Sequence, residues 1–267
     1  MNAVTLATSA ADSAAATTIE QHHAEMAGAL ALLVETLVGA AVARDQVAVQ
    51  AARTGLVTWC ETELLPHARA EEAEMYPPAR ELREGRLLID GMRGEHEALN
   101  GLVARLATTA DPVRAAADAT ALRVLFESHL LKENTLVVPL LVAAPGVALA
   151  TILDAMHHEL TAHVTEPVPD VEDAPAGGCG GECGCGGSDE PELPVLDART
   201  VPHALRHATI FGALDAVGPG SGMVLVAPHD PLPLLAQIEQ RQPGAFAVDY
   251  LERGPEAWRL RLVRSAV

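Results

Sequence analysis

The chain has 267 residues, 49% of them hydrophobic, enough for one large or two modest domains with a sizeable core. Aromatic residues make up only 3%, so that core must be aliphatic and alanine-rich, a composition that favours helices. A net charge of -18 argues against a phosphate-gripping surface, which needs clustered Lys and Arg, so no nucleic-acid partner is expected and the acidity reads as solubility.

The opening stretch MNAVTLATSAADSAAATT has no basic segment and no compact apolar block, so no secretory leader is expected and the protein reads as cytoplasmic. Residues 1–16 read as a disordered tail. From about Thr18 to His163 the pattern is helical. Met26, Leu30, Leu33 and Leu37 recur at three- and four-residue steps, with His23 on the same stripe. A second helix is predicted from about Gln46 to Pro77. A third carries His96, Leu99, Leu102, Val103 and Leu106. A fourth opens at Asp111-Pro112, an N-cap followed by proline at the first helical position, and carries Phe126, His129 and Glu133. The apolar run from Leu136 to Leu153 is interrupted by Pro139, Pro145 and Gly146, which would break a membrane-spanning helix; a helix end, a turn and a short fifth helix over about 146–163 fit better. Brief connections predict an antiparallel four-helix bundle, with the short fifth helix, over residues 17–164.

Residues 165–192 are acidic and proline-bearing around GGCGGECGCGG, which predicts a linker. Its Cys179, Cys183 and Cys185 supply three of the four ligands a structural zinc site needs; they read as a tolerated linker, or as a cluster that traps a metal, delivers iron or forms a labile disulfide. Residues 193–267 change period. LPVLDAR reads as a strand, 202–217 as a helix, and GMVLVAP as a buried strand. Asp230-Pro231 reads as the start of a helix to about Gln242, and AFAVDYL and AWRLRLV as alternating strands. The order βαβαββ predicts a small two-layer α+β domain, and the whole chain a multidomain α and α+β protein.

Two strings in the helical region share one spacing: HARAEEAEMYP at 67–77 and HLLKENTLVVP at 129–139. Residues i and i+4 of a helix lie on one face, so His67 projects with Glu71 and His129 with Glu133. Each pair sits on an apolar stripe, and each is preceded by a helix with one histidine on its own stripe, His23 and His96. His22 and Glu72 compete with His23 and Glu71; the stripe selects His23, and Glu72 is expected to face solvent. Buried imidazoles and carboxylates need partners. Two metal ions, each with two imidazoles and two shared carboxylates, would supply them. Nitrogen and oxygen ligation without thiolate suits iron, manganese or zinc. Cys60 reads as a small core residue.

The pattern H…HxxxE…H…HxxxE, with Glu95-His96 and the prolines closing the motif helices, resembles the hemerythrin-like, HHE cation-binding family. That resemblance implies a four-helix bundle with a non-haem di-iron centre, oxo- or hydroxo-bridged, with His23, His67, Glu71, His96, His129 and Glu133 as matching ligands. It implies O2, NO or peroxide as partner, in sensing, detoxification or iron–sulfur protection. Two departures from the oxygen-carrier pattern, Asn100 four residues after His96 and Asn134 five after His129, move the expectation from reversible oxygen carriage toward the repair and sensor members. The last segment, through RHATIF, HDPLPLL and ERGPEAW, resembles a bacterial domain of unknown function that shares the fold of TusA/SirA sulfur carriers. It lacks their cysteine, having Val201-Pro202-His203 instead. The segment is expected to bind a protein partner or electron donor, or to read out the metal occupancy of a non-enzymatic iron or zinc module.

Overall fold

A computed structural model describes residues 9–163 and 193–266. The bundle begins with α1 (Ala10–Ala43), α2 (Gln46–Trp59), α3 (Leu65–Ala70), α4 (Tyr76–Glu81) and α5 (Gly85–Thr108). It continues with α6 (Pro112–Lys132), α7 (Val138–Ala143) and α8 (Leu149–His163). The helix α1 starts earlier than expected, so residues 10–16 are helical and not a tail. The Ser9 hydroxyl accepts the Asp12 N–H at 3.0 Å and caps the first turn. The buried Asp12 carboxylate in turn accepts the Ala150 N–H at the start of α8 (3.1 Å). Residues 1–8, the rest of the expected tail, lie outside the described residues, as do 164–192 with Cys179, Cys183 and Cys185.

Pro77 and Pro139 were expected to close the motif helices; they do not. A proline ring has no N–H and collides with the carbonyl four residues back. Here the strain is taken up by π turns at Cys60–Leu64, Glu71–Met75 and Glu133–Val137, each placed just before a Leu65-Pro66, Tyr76-Pro77 or Val138-Pro139 pair. The N–H groups of Leu65, Tyr76 and Val138 bond to the carbonyls five residues earlier, those of Cys60, Glu71 and Glu133. The helix therefore runs on from α2 to Glu81, and from α6 to Ala143. The expected turn follows at Pro145-Gly146, where Gly146 takes a φ of 84° that only glycine adopts at little cost.

The result is four rods. The rods α1 and α5 each pack against both composite rods, α2–α4 and α6–α7, and α8 lies across α1, α3 and the Glu71–Met75 turn. Two aliphatic layers fill the bundle. One includes Leu30, Leu37, Leu56, Leu106 and Leu122. The other includes Ile19, Met75, Ile89, Leu141 and Met156. Between them runs a layer of buried polar side chains: His23, His67, Glu71, His96, His129 and Glu133.

The C-terminal unit has β1 (Val195–Asp197), α9 (Arg206–Ala216), β2 (Gly222–Ala227), α10 (Leu232–Arg241), β3 (Phe246–Arg253) and β4 (Trp258–Arg264). Its sheet order is β1-β2-β4-β3, with β1 parallel to β2 and the other pairs antiparallel. Apolar residues of β2 and β4 pack on α9 and α10, giving the two-layer α+β arrangement. Two local expectations shift. The first helix begins at Arg206, four residues after Pro202, and the Asp230 carboxylate accepts the Tyr250 hydroxyl (2.8 Å) and does not cap α10.

The two units meet along α1 and α9. Ala31 and Leu32 of α1 complete the apolar core of the C-terminal unit. The backbones touch at two glycines: a Cβ on Gly28 would stand 1.9 Å from the Thr209 carbonyl oxygen, and one on Gly212 1.9 Å from that of Glu25. Burial against both the bundle core and α9 explains why α1 is apolar around most of its circumference. By length and composition alone α1 could cross a membrane; here Leu30, Val34 and Leu37 are buried in the bundle core and Ala31 and Leu32 in the core of the C-terminal unit.

Candidate metal centre

Each of the four rods delivers part of the polar layer. His23 comes from α1. His67 and Glu71 come from α3 and the π turn that follows it, His96 from α5, and His129 and Glu133 from α6 and its π turn. All six side chains are buried, with relative exposures between 0% and 6%. These are the six residues that sequence spacing singled out, and they fall into two overlapping groups. Position A gathers His23, His67, Glu71 and Glu133; position B gathers His96, His129, Glu71 and Glu133. Within each group the donor atoms lie within 4.8 Å of one another.

The glutamates span both positions. Glu71 turns Oε1 toward His67 Nε2 (2.8 Å) and His23 Nε2 (3.5 Å), and Oε2 toward His96 Nε2 (3.4 Å). Glu133 turns Oε2 toward His23 Nε2 (3.7 Å) and Oε1 toward His129 Nε2 (3.5 Å). Each carboxylate thus offers one oxygen to each imidazole pair, the disposition of a bridging ligand.

Hydrogen bonding tests the fit to metal. His23 Nε2, His67 Nε2, Glu71 Oε1 and Glu133 Oε2 are buried without a hydrogen-bond partner. The short His67–Glu71 approach is misaligned for such a bond. An unpartnered buried polar atom costs about 1–3 kcal/mol. Four such atoms, one from each donor of position A, gather within 4.8 Å of one another. Imidazole nitrogen and carboxylate oxygen suit a divalent or trivalent first-row ion. The residues therefore fit a binuclear metal site.

Electrostatics agree. Burial lowers the basicity of His23, His96 and His129, but the facing carboxylates more than offset it, so all three sit above the ordinary histidine value. Burial raises Glu71, yet His67, His23 and His96 pull it well below the ordinary carboxylate value. His22 stands outside both groups. Its ring lies 5.1 Å from that of His67, and burial, with neighbouring His67 and His23, lowers its pKa to about 3.

Several residues at the site were not anticipated. Tyr76 is buried, donates its hydroxyl to Glu133 Oε1 at 2.6 Å, and lies 3.3 Å from the Nε2 atoms of both His96 and His129. Burial, then Glu71 and Glu133, hold its phenol protonated. Glu72 does not simply face solvent: it accepts the Nδ1–H of His96 (2.9 Å) and pairs with Arg93. Glu95 accepts from His129 Nδ1 (3.0 Å) and pairs with Lys132. Asn134 turns its amide oxygen to His23 Nδ1 (2.7 Å). Cys60 is a fully buried thiol, pushed up to about 12 by burial, as expected of a core residue. His207 and His229 are exposed on the C-terminal unit and join neither group.

A cavity of about 550 Å³ is lined by residues of both the bundle and the C-terminal unit. Its walls are Ala24, Ala27, Leu130 and Arg123 on one side and Leu196, Val201 and Leu205 on the other, with His23 and Asn134 on its bundle side.

Comparison with known families agrees with the architecture. Residues 14–141 match the hemerythrin HHE cation binding domain, and residues 195–264 match DUF2249, an uncharacterized conserved protein family. The chain therefore carries an N-terminal HHE cation-binding domain and a C-terminal DUF2249 domain. No curated protein and no solved structure gave a match.

Proposed function

We propose that the chain is a non-haem di-iron protein of the hemerythrin-like type, whose centre binds or reacts with O2, NO or peroxide in sensing, detoxification or iron–sulfur protection. The observation that carries the reading is the pair of inward glutamates, each offering one oxygen to each of two imidazole pairs. His23 and His67 would hold one ion, His96 and His129 the other, and Glu71 and Glu133 would join them. Iron, when bound, supplies the electrons and the Lewis acidity that such ligands require. The chain's own contribution is confinement. Aliphatic layers on both sides exclude bulk water and admit apolar gases. The Tyr76 hydroxyl, its oxygen 2.6 Å from Glu133 Oε1, is a hydrogen-bond donor inside an otherwise acceptor-rich wall. Anaerobic loading with ferrous iron, followed by air, NO or peroxide, tests the reading. Two irons per chain and a ferric absorption developing with at least one of the three support it; failure to retain iron, or an unchanged spectrum with all three, overturns it.

A second reading makes the chain a regulatory module in which the C-terminal unit reads out iron or zinc occupancy. It is favoured by α1, which carries both His23 and the docking residue Gly28. The βαβαββ order supports kinship of that unit with TusA/SirA sulfur carriers, while the absence of any cysteine from residues 193–267 rules out a thiol of its own as sulfur carrier. A static zinc protein without reactivity toward air, NO or peroxide, whose C-terminal unit changes hydrogen exchange on zinc binding, would favour this reading.

A further inference from the structure

The two metal positions share their carboxylates but differ in what stands behind their imidazoles. At position B both Nδ1–H groups are handed to carboxylates, His96 to Glu72 at 2.9 Å and His129 to Glu95 at 3.0 Å. Those carboxylates are in turn held by Arg93 and Lys132. At position A, His23 has only the neutral amide of Asn134, and His67 Nδ1 is buried with no hydrogen-bond partner. A carboxylate behind a ligating imidazole fixes its ring and raises its basicity, and loss of such a partner typically costs about 10–100-fold in metal affinity. Two effects work the other way: an ion at B must compete with the Tyr76 hydroxyl for Glu133 Oε1, and it must part His96 Nε2 from His129 Nε2, which stand 3.0 Å apart in hydrogen-bond contact. A hydrogen bond to a charged group is worth about 10–100-fold. Two backing carboxylates outweigh one such bond together with the contact between imidazoles. Position A also has a ligand on the interdomain cavity: His23 borders it, with its partner Asn134, whereas His96, His129 and the two shared glutamates do not.

From these asymmetries we infer that the centre has one retained and one exchangeable metal: the ion held by His96 and His129 stays, and the ion held by His23 and His67 leaves and re-enters. The inference rests on the binuclear reading above. Asn134 is then a positioning residue that sets how readily position A releases its ion, and Glu72 and Glu95 are positioning residues for position B.

The test uses the full chain loaded with Co2+, challenged with excess chelator and followed by the cobalt ligand-field absorption. Two equivalents leaving in two phases, separated by about tenfold or more in rate, are expected. Glu72→Gln and Glu95→Gln should each speed the slow phase and leave the fast phase in place. Asn134→Asp puts a carboxylate behind His23 and should slow the fast phase by about tenfold. Because Asn134→Asp predicts tighter retention, a folding defect cannot imitate it. Release of two equivalents in one phase overturns the inference and leaves the binuclear reading standing. So does an Asn134→Asp fast phase no slower than wild type. Fewer than two equivalents bound in the wild type would instead strike at the binuclear reading itself.

Discussion

Gly28→Ala and Gly39→Ala place the same change on the same helix and are predicted to act in opposite directions. In a helix interior, replacing glycine with alanine stabilises by about 1 kcal/mol, because alanine loses less backbone freedom on folding. At Gly39 nothing lies within 4 Å of the new Cβ, so the full gain is expected. At Gly28 the Cβ would stand 1.9 Å from the Thr209 carbonyl oxygen and 2.8 Å from its carbon. Carbon–oxygen contacts settle near about 3.3 Å, so α1 and α9 would have to part by more than an ångström. The obstacle is backbone, with no side chain to rotate away. Overpacking of this kind costs about 1–3 kcal/mol, and parting the helices also uncovers Ala31 and Leu32. The net expectation is a loss of about 1–2 kcal/mol for Gly28→Ala against a gain of about 1 kcal/mol for Gly39→Ala. Gly212→Ala, whose Cβ would meet the Glu25 carbonyl oxygen at 1.9 Å, should behave like Gly28→Ala. Urea unfolding monitored by far-ultraviolet circular dichroism gives both signs in one experiment. If Gly28→Ala and Gly212→Ala stabilise as much as Gly39→Ala, the two units do not dock through α1 and α9.

Tyr76→Phe should destabilise the metal-free protein by about 1–3 kcal/mol, since it leaves Glu133 Oε1 buried without its donor; a thermal melt equal to wild type would contradict the placement of the hydroxyl. The metal-free protein should also show a bounded stability window. The Glu71 contribution is fully present above its ordinary value of 4.5 and is lost as pH falls through its depressed folded value. The contributions of His23, His96 and His129 are fully present below 6.5 and are lost as pH rises through their elevated folded values. Melting temperature should therefore be highest between about 4.5 and 6.5 and fall on both sides. Metal loading should remove the alkaline decline, because bound imidazoles are neutral already, and should leave acid sensitivity, because protons displace the metal. An alkaline decline unchanged by metal would contradict this.

The six residues of the polar layer were legible because their signal is local. His67 with Glu71 and His129 with Glu133 obey the i, i+4 rule on one helix face, and His23 and His96 sit among leucines at helical spacing. The strands and their succession with the helices along the chain were legible for the same kind of reason, though their order in the sheet was not: GMVLVA is an unbroken apolar run, and all six residues of β2 are buried. What was hidden depends on tertiary contacts or on departures from the 3.6-residue period. Tyr76 lies five residues after Glu71, off the stripe of a regular helix. The π turn inserts the extra residue that brings it onto the site, and the turn itself answers Pro77. That link from proline to bulge to tyrosine is physical but needs the knowledge that the helix survives the proline. Glu72, Glu95 and Asn134 reach imidazoles on other rods, and Glu95 supports His129 rather than its sequence neighbour His96. No one-dimensional pattern carries that crossing. Gly28 and Gly212 read as ordinary helical glycines until α1 and α9 are seen together.

Under the proposed function the buried layer holds two metal ions side by side, joined by Glu71 and Glu133. Crystals of the metal-loaded chain, measured at the absorption edge of the metal, test it most directly. Two anomalous peaks inside the bundle are predicted, one between His23 and His67 and the other between His96 and His129, with both glutamates touching both. A single peak, none, or peaks elsewhere with the six side chains apart would contradict it.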